Sequence, residues 1–175
     1  MTNREIIHLE RASSEMHEVL ANLLELYSHD LSDAFAIDVG ADGRFGYPKL
    51  DLYWSSPDSR YAFVIRYGGR IAGFALVTRG SPLTEDPSDL DVAEFFVLRR
   101  YRRIGVGRQA ACALWETLPG RWVVRVSEAN QAALTFWIDV VQRYAGGKYT
   151  EASRDSAGRR WRVFTFDAPS GHSAL

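Results

Sequence analysis

The sequence predicts an α/β (α+β) fold in which a central mixed, mostly antiparallel sheet carries helices on both faces. Two β-type runs, 61–66 and 71–77, flank Gly68-Gly69, and this arrangement is a strong signal for an antiparallel hairpin. A strand at Leu90–Leu98 then runs into a loop rich in arginine and glycine, and a helix follows. The short apolar strand Trp122–Val126 after that helix indicates a parallel crossover, which is why the sheet is expected to be mixed.

The other elements follow from periodicity and turn residues. Apolar residues at helical spacing predict a first helix near residues 13–28, whereas residues 29–53 have weak periodicity and indicate a short helix and a loop. A later helix is expected to begin at Asn130, a good cap residue, and to end at Gly146. The remaining chain predicts a closing hairpin, so we expect one domain over residues 1–169 and a flexible tail at 170–175.

Composition narrows the class of function. With 46% hydrophobic and 25% charged residues, the chain is typical of a globular protein, and no apolar run reaches the roughly 18 residues of a membrane helix. Met1–Glu5 lack the pattern of a secretory signal, so a cytoplasmic location is expected. The net charge of -1 argues against nucleic acid or a membrane as a partner. The single cysteine, Cys112, cannot form an internal disulfide or a thiolate cluster.

One loop concentrates positive charge and glycine. Five arginines lie within ten residues, at positions 99, 100, 102, 103 and 108, and Gly105 and Gly107 stand at the start of the helix. Free N–H groups at a helix N-terminus form a ready phosphate site, although glycines at such a turn also serve only to relieve steric strain. The loop lacks the Gly-Lys-Ser/Thr ending of a P-loop and the third glycine of a dinucleotide fingerprint. Another ligand with a pyrophosphate is therefore favoured.

The stretch Arg102-x-x-Gly105-x-Gly107 resembles motif A of the GNAT acetyltransferases, whose pattern is Gln/Arg-x-x-Gly-x-Gly/Ala. A second family signature is similar to Asn130-x-x-Ala133-x-x-Phe136-Trp137. The resemblance implies acetyl-CoA (coenzyme A) as co-substrate, no metal, and a parallel strand pair that splays at the cofactor site. By position, it implies that the residues that bind the cofactor are Phe95, Phe96, Val97, Arg102, Arg103, Ile104, Gly105, Val106, Gly107, Arg108 and Asn130.

Glu94 is the candidate catalytic residue of this implied N-acetyltransferase. It lies within an apolar strand where the family often carries a carboxylate, and partial burial would raise its pKa toward that of a useful general base. The alternative is a structural carboxylate paired with an arginine, and Asp91 is the reserve base. Asp89, Asp91 and Glu94 lack the accompanying histidine or oxygen ligands of a metal site.

The family signatures do not identify the group that donates a proton to the leaving thiolate. Many relatives carry a tyrosine where this chain has Trp137, and an indole N–H is too weak an acid to replace it. Water, Tyr144 or Tyr149 could supply the proton, or the thiolate could leave without help. A non-catalytic acyl-CoA-binding or regulatory module of the same fold is the alternative function.

The acceptor is expected to be a small-molecule or peptide amine. Five aspartates in the early part of the chain could line a site for a cationic amine, although acids in loops are usually solvated: Asp30, Asp33, Asp38, Asp42 and Asp51. A protein lysine is also a possible acceptor. A homodimer is a possible state of assembly.

Overall fold

The computed structural model describes residues 6–169, which form one seven-stranded sheet with helices against it. In chain order the elements are β1 (Ile7–Arg11), α1 (His17–Phe35), α2 (Leu52–Ser55), β2 (Arg60–Tyr67), β3 (Arg70–Arg79), β4 (Leu90–Val97), α3 (Val106–Thr117), β5 (Gly120–Ser127), α4 (Gln131–Ala145), β6 (Tyr149–Ser156) and β7 (Arg159–Ala168). Short 3₁₀ turns precede α1, at Ser14–Met16, and follow β4, at Arg99–Tyr101.

The strand order is β1-β2-β3-β4-β5-β7-β6, and every neighbouring pair is antiparallel except β4 and β5. This parallel pair is joined through α3, as the sequence predicts. Its register contains only Leu90 opposite Trp122 and Asp91 opposite Val123, after which the two strands separate. The predicted fold class, including the splayed parallel pair, is confirmed.

Each face of the sheet has its own core. On one face, α3 and α4 pack on β4, β5 and β7 around the fully buried Trp115 and Trp122. On the other face, Leu20 and Leu24 of α1 pack against Phe74 of β3. Because side chains alternate along a strand, neighbouring residues of β4 and β5 belong to opposite faces, except at Ala93, where a bulge in β4 shifts the pairing with β3.

Several boundaries differ from the sequence prediction. Helix α1 runs to Phe35 rather than ending near residue 28, and Ala36 ends it in a left-handed conformation with φ 49°. Strand β1 was not predicted, because a five-residue edge strand has too few residues to show a clear period. The predicted tail, 170–175, lies outside the described residues, and the single domain over 1–169 stays a prediction.

Within residues 6–169, no helix is both long enough and apolar enough to span a bilayer.

Candidate active site

The gap between β4 and β5 exposes peptide groups of β4. The N–H of Leu98 donates to the Ala72 carbonyl of β3 at 2.8 Å, so the N–H and C=O of the preceding residue, Val97, point away from β3. The Val97 carbonyl indeed accepts a hydrogen bond on that side, from Arg102 Nε at 2.7 Å. By the same alternation the peptide groups of Phe95 also face the gap.

Phe96 differs from these two neighbours. Its carbonyl faces β3 so closely that a Cβ placed on Gly73 would lie 1.9 Å from the Phe96 oxygen. Its side chain is buried on the α1 face, with its ring centroid 5.8 Å from that of Tyr27. Strand alternation therefore turns the main-chain groups of Phe96 toward β3, and its place among the cofactor-binding residues stays a prediction.

Glu94 lies on the α1 face of β4 and is held by two tyrosines. Its carboxylate accepts hydrogen bonds from the Tyr27 hydroxyl of α1 at 2.6 Å and from the Tyr47 hydroxyl at 3.1 Å. Burial raises the pKa of Glu94, and the two hydroxyl donors oppose that rise. Burial, followed by the negative charge of Glu94, raises the pKa of Tyr27 and of Tyr47, so both stay protonated donors. Within residues 6–169 no arginine donates a hydrogen bond to this carboxylate, although the positive charge of Arg125 also lowers its pKa.

A second carboxylate, that of Glu25 on α1, positions Tyr47. The Glu25 carboxylate accepts hydrogen bonds from the N–H groups of Phe45 and Gly46, each at 2.8 Å. These two bonds hold the segment after α1 against the helix, so the neighbouring Tyr47 reaches Glu94. The segment without clear periodicity thus has a defined position over the sheet.

A cavity of about 320 Å³ opens beside Glu94, in the gap between the strands. Helix α1 and the segment after it form one wall, and β4, β5, α4 and β7 form the others. Residues that line it include Tyr27, Leu31, Phe35, Ile37, Tyr47, Glu94, Phe95, Arg125, Asn130, Ala133, Trp137, Arg159 and Trp161. Its size is that of a small-ligand pocket.

The arginine and glycine loop ends at the N-terminus of α3, on the other face of the sheet from Glu94. Gly105 has φ 89° and Arg103 has φ 63°, so the chain turns sharply before the helix. The Gln109 N–H donates to the Gly105 carbonyl at 3.1 Å, and the N–H groups of residues 106–108 precede this bond, without an intrahelical acceptor. Such N–H groups at the positive end of a helix bind phosphate oxygens.

The side chains of the loop fall into two groups. Arg103, Ile104 and Arg108 are exposed, and within residues 6–169 neither of these two arginines forms an ion pair. Arg102 instead donates to the Val97 carbonyl and to the Asp30 carboxylate, which also binds Arg99. Burial alone would raise the pKa of Asp30, but the hydrogen bonds from these arginines lower it. Arg102 therefore ties the loop to β4 and α1 rather than reaching freely into solvent.

Three other predicted residues lie in or beside helices α3 and α4. A Cβ on Gly107 would lie 3.1 Å from the Phe136 ring, so this glycine permits the close approach of α3 and α4. Asn130 caps α4, as predicted, by accepting a hydrogen bond from the Ala133 N–H at 3.1 Å. Val106 is buried at the start of α3, where only its peptide group can meet a ligand.

These features fit acetyl-CoA. Free N–H groups and exposed arginines at the start of α3 suit a pyrophosphate, and the open edge of β4 offers peptide groups to an extended amide-containing arm. Phe95 and Trp137, whose ring centroids are 5.1 Å apart, line the cavity in the gap between β4 and β5. Among residues 6–169, no three His, Cys, Asp or Glu side chains gather as metal ligands would.

Other candidates from the sequence lie elsewhere. The Tyr144 ring packs on Trp115 at 4.7 Å and the Tyr149 ring on Phe164 at 6.2 Å, and neither tyrosine lines the cavity. None of the five early aspartates lines it either. Cys112 is half-buried on α3, and burial raises the pKa of its thiol. Asp91 is fully buried and binds Arg125 and Ser81.

Sequence reasoning missed Tyr27, Tyr47 and Arg125. The tyrosines meet Glu94 only through tertiary contacts across 67 and 47 residues, which no local pattern reveals. Arg125 had a local signal, because it is the charged residue inside a strand interpreted as continuously apolar.

Comparison with known proteins gives the family. A model of the acetyltransferase (GNAT) family matches residues 20–138, more than half of the chain. No curated protein matches the sequence significantly.

Solved structures share the fold at low sequence identity. An acetyltransferase from Thermus thermophilus is 15% identical, with a TM-score of 0.67 over 94% of this chain and 98% of that one. Spermidine N-acetyltransferase from Vibrio cholerae, in complex with CoA and spermine, is 9% identical, with a TM-score of 0.62 over 93% and 95%. The ribosomal-protein-S18-alanine N-acetyltransferase from Escherichia coli is 14% identical, with a TM-score of 0.60 over 97% and 99%. On the family match and this shared fold, the chain belongs to the GNAT acetyltransferase family.

Proposed function

We propose that the protein transfers an acetyl group from acetyl-CoA to a primary amine by direct attack in a ternary complex. The observation that carries this proposal is the Glu94 carboxylate, which two tyrosines hold beside the gap between β4 and β5. It lies on the α1 face, whereas the phosphate-binding loop leads into α3 on the other face. An acceptor and a cofactor can therefore meet in the gap from opposite faces of the sheet.

The chain's own groups would hold and orient the cofactor, which supplies an activated thioester and a thiolate leaving group. The N–H groups of residues 106–108, with Arg103 and Arg108, bind phosphate oxygens. The peptide groups of Phe95 and Val97 bind the arm along the open edge of β4. The Val97 N–H also stabilises negative charge on the thioester oxygen, and one such donor contributes about 3 kcal/mol to transition-state stabilisation.

Glu94 would accept the proton of the attacking amine. An amine with a pKa near 10 is almost fully protonated at neutral pH, and its nitrogen attacks only after losing a proton. Burial raises the pKa of Glu94 toward the working range, while Tyr27 and Tyr47 keep the carboxylate oriented. The new C–N bond forms as the C–S bond breaks. Since Tyr144 and Tyr149 lie outside the cavity, water is the proposed proton donor to the thiolate.

Calorimetric titration with acetyl-CoA tests the cofactor site. Wild-type protein should bind with micromolar affinity, and Gly105→Trp should abolish binding because the indole fills the approach to the N–H groups. Gly147→Trp is the matched control, since Gly147 also has a positive φ, 82°, with open space around it at the far end of α4. Absence of binding by the wild type, or equal loss in both variants, would contradict the assignment.

A thiol-release assay with several amines separates an enzyme from the non-catalytic module. Amine-dependent release of free CoA supports the enzyme. Tight binding of acetyl-CoA without transfer to any amine would favour the module instead.

A further inference from the structure

Arg125 is a charged side chain of the cavity that acetyl transfer itself does not require. It lies in the middle of β5, between Val124 and Val126, which pack into the core on the α3 and α4 face. Strand alternation therefore turns Arg125 to the opposite face, the one that carries Glu94. Its side chain lines the cavity and is 19% exposed.

The described part of the chain forms hydrogen bonds with one edge of the Arg125 guanidinium. Its Nε donates to both carboxylate oxygens of Asp91 at 3.0 Å, and Asp91 is fixed in turn by the Ser81 hydroxyl at 2.6 Å. Its carbon Cζ lies 5.6 Å from the Trp161 ring centroid. Within residues 6–169, neither Nη group donates a hydrogen bond, and these two groups hold the remaining donors of the guanidinium. A guanidinium edge fixed in this way matches the two oxygens of a carboxylate.

The charges around the cavity favour an anionic group on the acceptor. Of the residues that the structure describes, the charged ones that line the cavity are Glu94, Arg125 and Arg159. Glu94 is already bound by two tyrosines and is the proposed base, so no lining carboxylate is left to bind a second ammonium group. The charge of Arg125 is balanced by Asp91, whereas the Arg159 guanidinium, 4.6 Å from the Phe35 ring centroid, forms no ion pair within residues 6–169 and leaves the cavity an excess positive charge. This distribution disfavours a polyamine.

The remaining walls are apolar and the space is limited. Leu31, Phe35, Ile37 and Trp161 also line the cavity, with the Trp161 ring near Arg125 and the Phe35 ring near Arg159. A volume of about 320 Å³ has to hold both the acceptor and the thioester end of the cofactor. The part of the acceptor that enters the cavity must therefore be small.

We propose that the acceptor is an amino-acid-like molecule, with its carboxylate on the Arg125 Nη groups, its amine at Glu94 and an apolar side chain against the aromatic wall. This assignment rests on the proposed acetyl transfer. It predicts that the enzyme distinguishes an amino acid from the same amine without a carboxylate.

Matched pairs of acceptors test the assignment by CoA release. L-Phenylalanine is compared with phenethylamine, and L-leucine with 3-methylbutylamine, with rates referred to the unprotonated amine; spermidine is the polyamine reference. A bidentate hydrogen bond to a charged group should raise kcat/KM about 10- to 100-fold for the carboxylated member. Equal or faster transfer to the amine without a carboxylate, or to spermidine, would overturn the amino-acid assignment and leave the proposed acetyl transfer in place.

The double variant Asp91→Asn/Arg125→Gln shows whether Arg125 is responsible. It removes both charges together, so no buried carboxylate is left without its partner. The ratio of kcat/KM within each pair should fall to near one, mainly through KM for the amino acid, and calorimetric binding of acetyl-CoA verifies that the variant is folded. An unchanged ratio would overturn the role of Arg125. Failure of the wild type to acetylate any amine would overturn the proposed function, and this inference with it.

Discussion

The buried pair of Asp91 and Arg125 allows a quantitative test of how the two strands are held together. Asp91 is completely inaccessible to solvent, whereas the Arg125 side chain reaches the cavity and is 19% exposed. Removing one partner of a buried pair leaves the other charge without compensation. The two single substitutions should therefore lower the free energy of unfolding by different amounts, because the charge that remains is buried in one case and partly exposed in the other.

Arg125→Gln should lower the free energy of unfolding by about 3–5 kcal/mol, because it leaves the Asp91 carboxylate buried and unpaired. Asp91→Asn should cost less, about 1–3 kcal/mol, because water in the cavity can hydrate the guanidinium. The double variant should unfold at a free energy close to that of the wild type, since neither charge remains. The coupling free energy of the cycle should therefore be several kcal/mol.

Urea denaturation of the four proteins measures this cycle. Burial already raises the pKa of Asp91, and loss of Arg125 raises that pKa further. A carboxyl group whose pKa is higher in the folded than in the unfolded state stabilises the fold more as pH falls. The difference in free energy of unfolding between Arg125→Gln and the wild type should therefore become smaller at acidic pH. Additive free energies, or a greater cost for Asp91→Asn than for Arg125→Gln, would refute the reasoning.

Three further changes probe the site and its supports. Tyr27→Phe removes a donor to Glu94, so the pKa of that carboxyl should rise, and the acidic limb of the pH profile of kcat/KM should move to higher pH. Asn130→Ala removes the cap of α4 and should lower the free energy of unfolding by about 0.5–2 kcal/mol, measured by urea denaturation. Gly107→Ala places a Cβ 3.1 Å from a ring of α4, so crowding should cost about 1–3 kcal/mol in the same measurement.

Each of these expectations has a contrary outcome. Tyr61→Phe is the control for Tyr27, because the Tyr61 hydroxyl donates to the Asp58 carbonyl outside the cavity. An identical pH profile for wild type, control and Tyr27→Phe would exclude the hydroxyl as a modulator of Glu94. Unchanged stability of Asn130→Ala would mean that the cap contributes nothing, and a more stable Gly107→Ala would mean that the helices have room for a methyl group.

The fold could be predicted from the sequence where the signals are local. The Gly68-Gly69 turn, the loop before α3 and the Asn130 cap are each encoded within a few residues, and all three elements are confirmed. The end of α1 could not be placed, because the acidic and polar residues after position 28 hide its periodicity. Strand β1 depends on pairing with β2, more than fifty residues away.

The candidate site could be predicted only in part, because local signals identify some of its residues and tertiary contacts bring in the others. Glu94 and the Arg102-x-x-Gly105-x-Gly107 loop belong to one continuous segment, so a motif can identify them. The hydroxyls of Tyr27 and Tyr47 reach Glu94 because α1 packs across the sheet and Glu25 fixes the segment after it. Contacts of this kind follow from tertiary packing and leave no pattern in the sequence.

The rate of acetyl transfer by Glu94→Gln, measured across pH with an acceptor that the wild type uses, tests the central claim most directly. If Glu94 is the base, kcat should fall about 10²- to 10⁴-fold, while calorimetric affinity for acetyl-CoA stays within a factor of two or so of the wild type. Transfer at the full wild-type rate across the pH range would show that another group accepts the proton, and would contradict the assignment of Glu94 as the catalytic base.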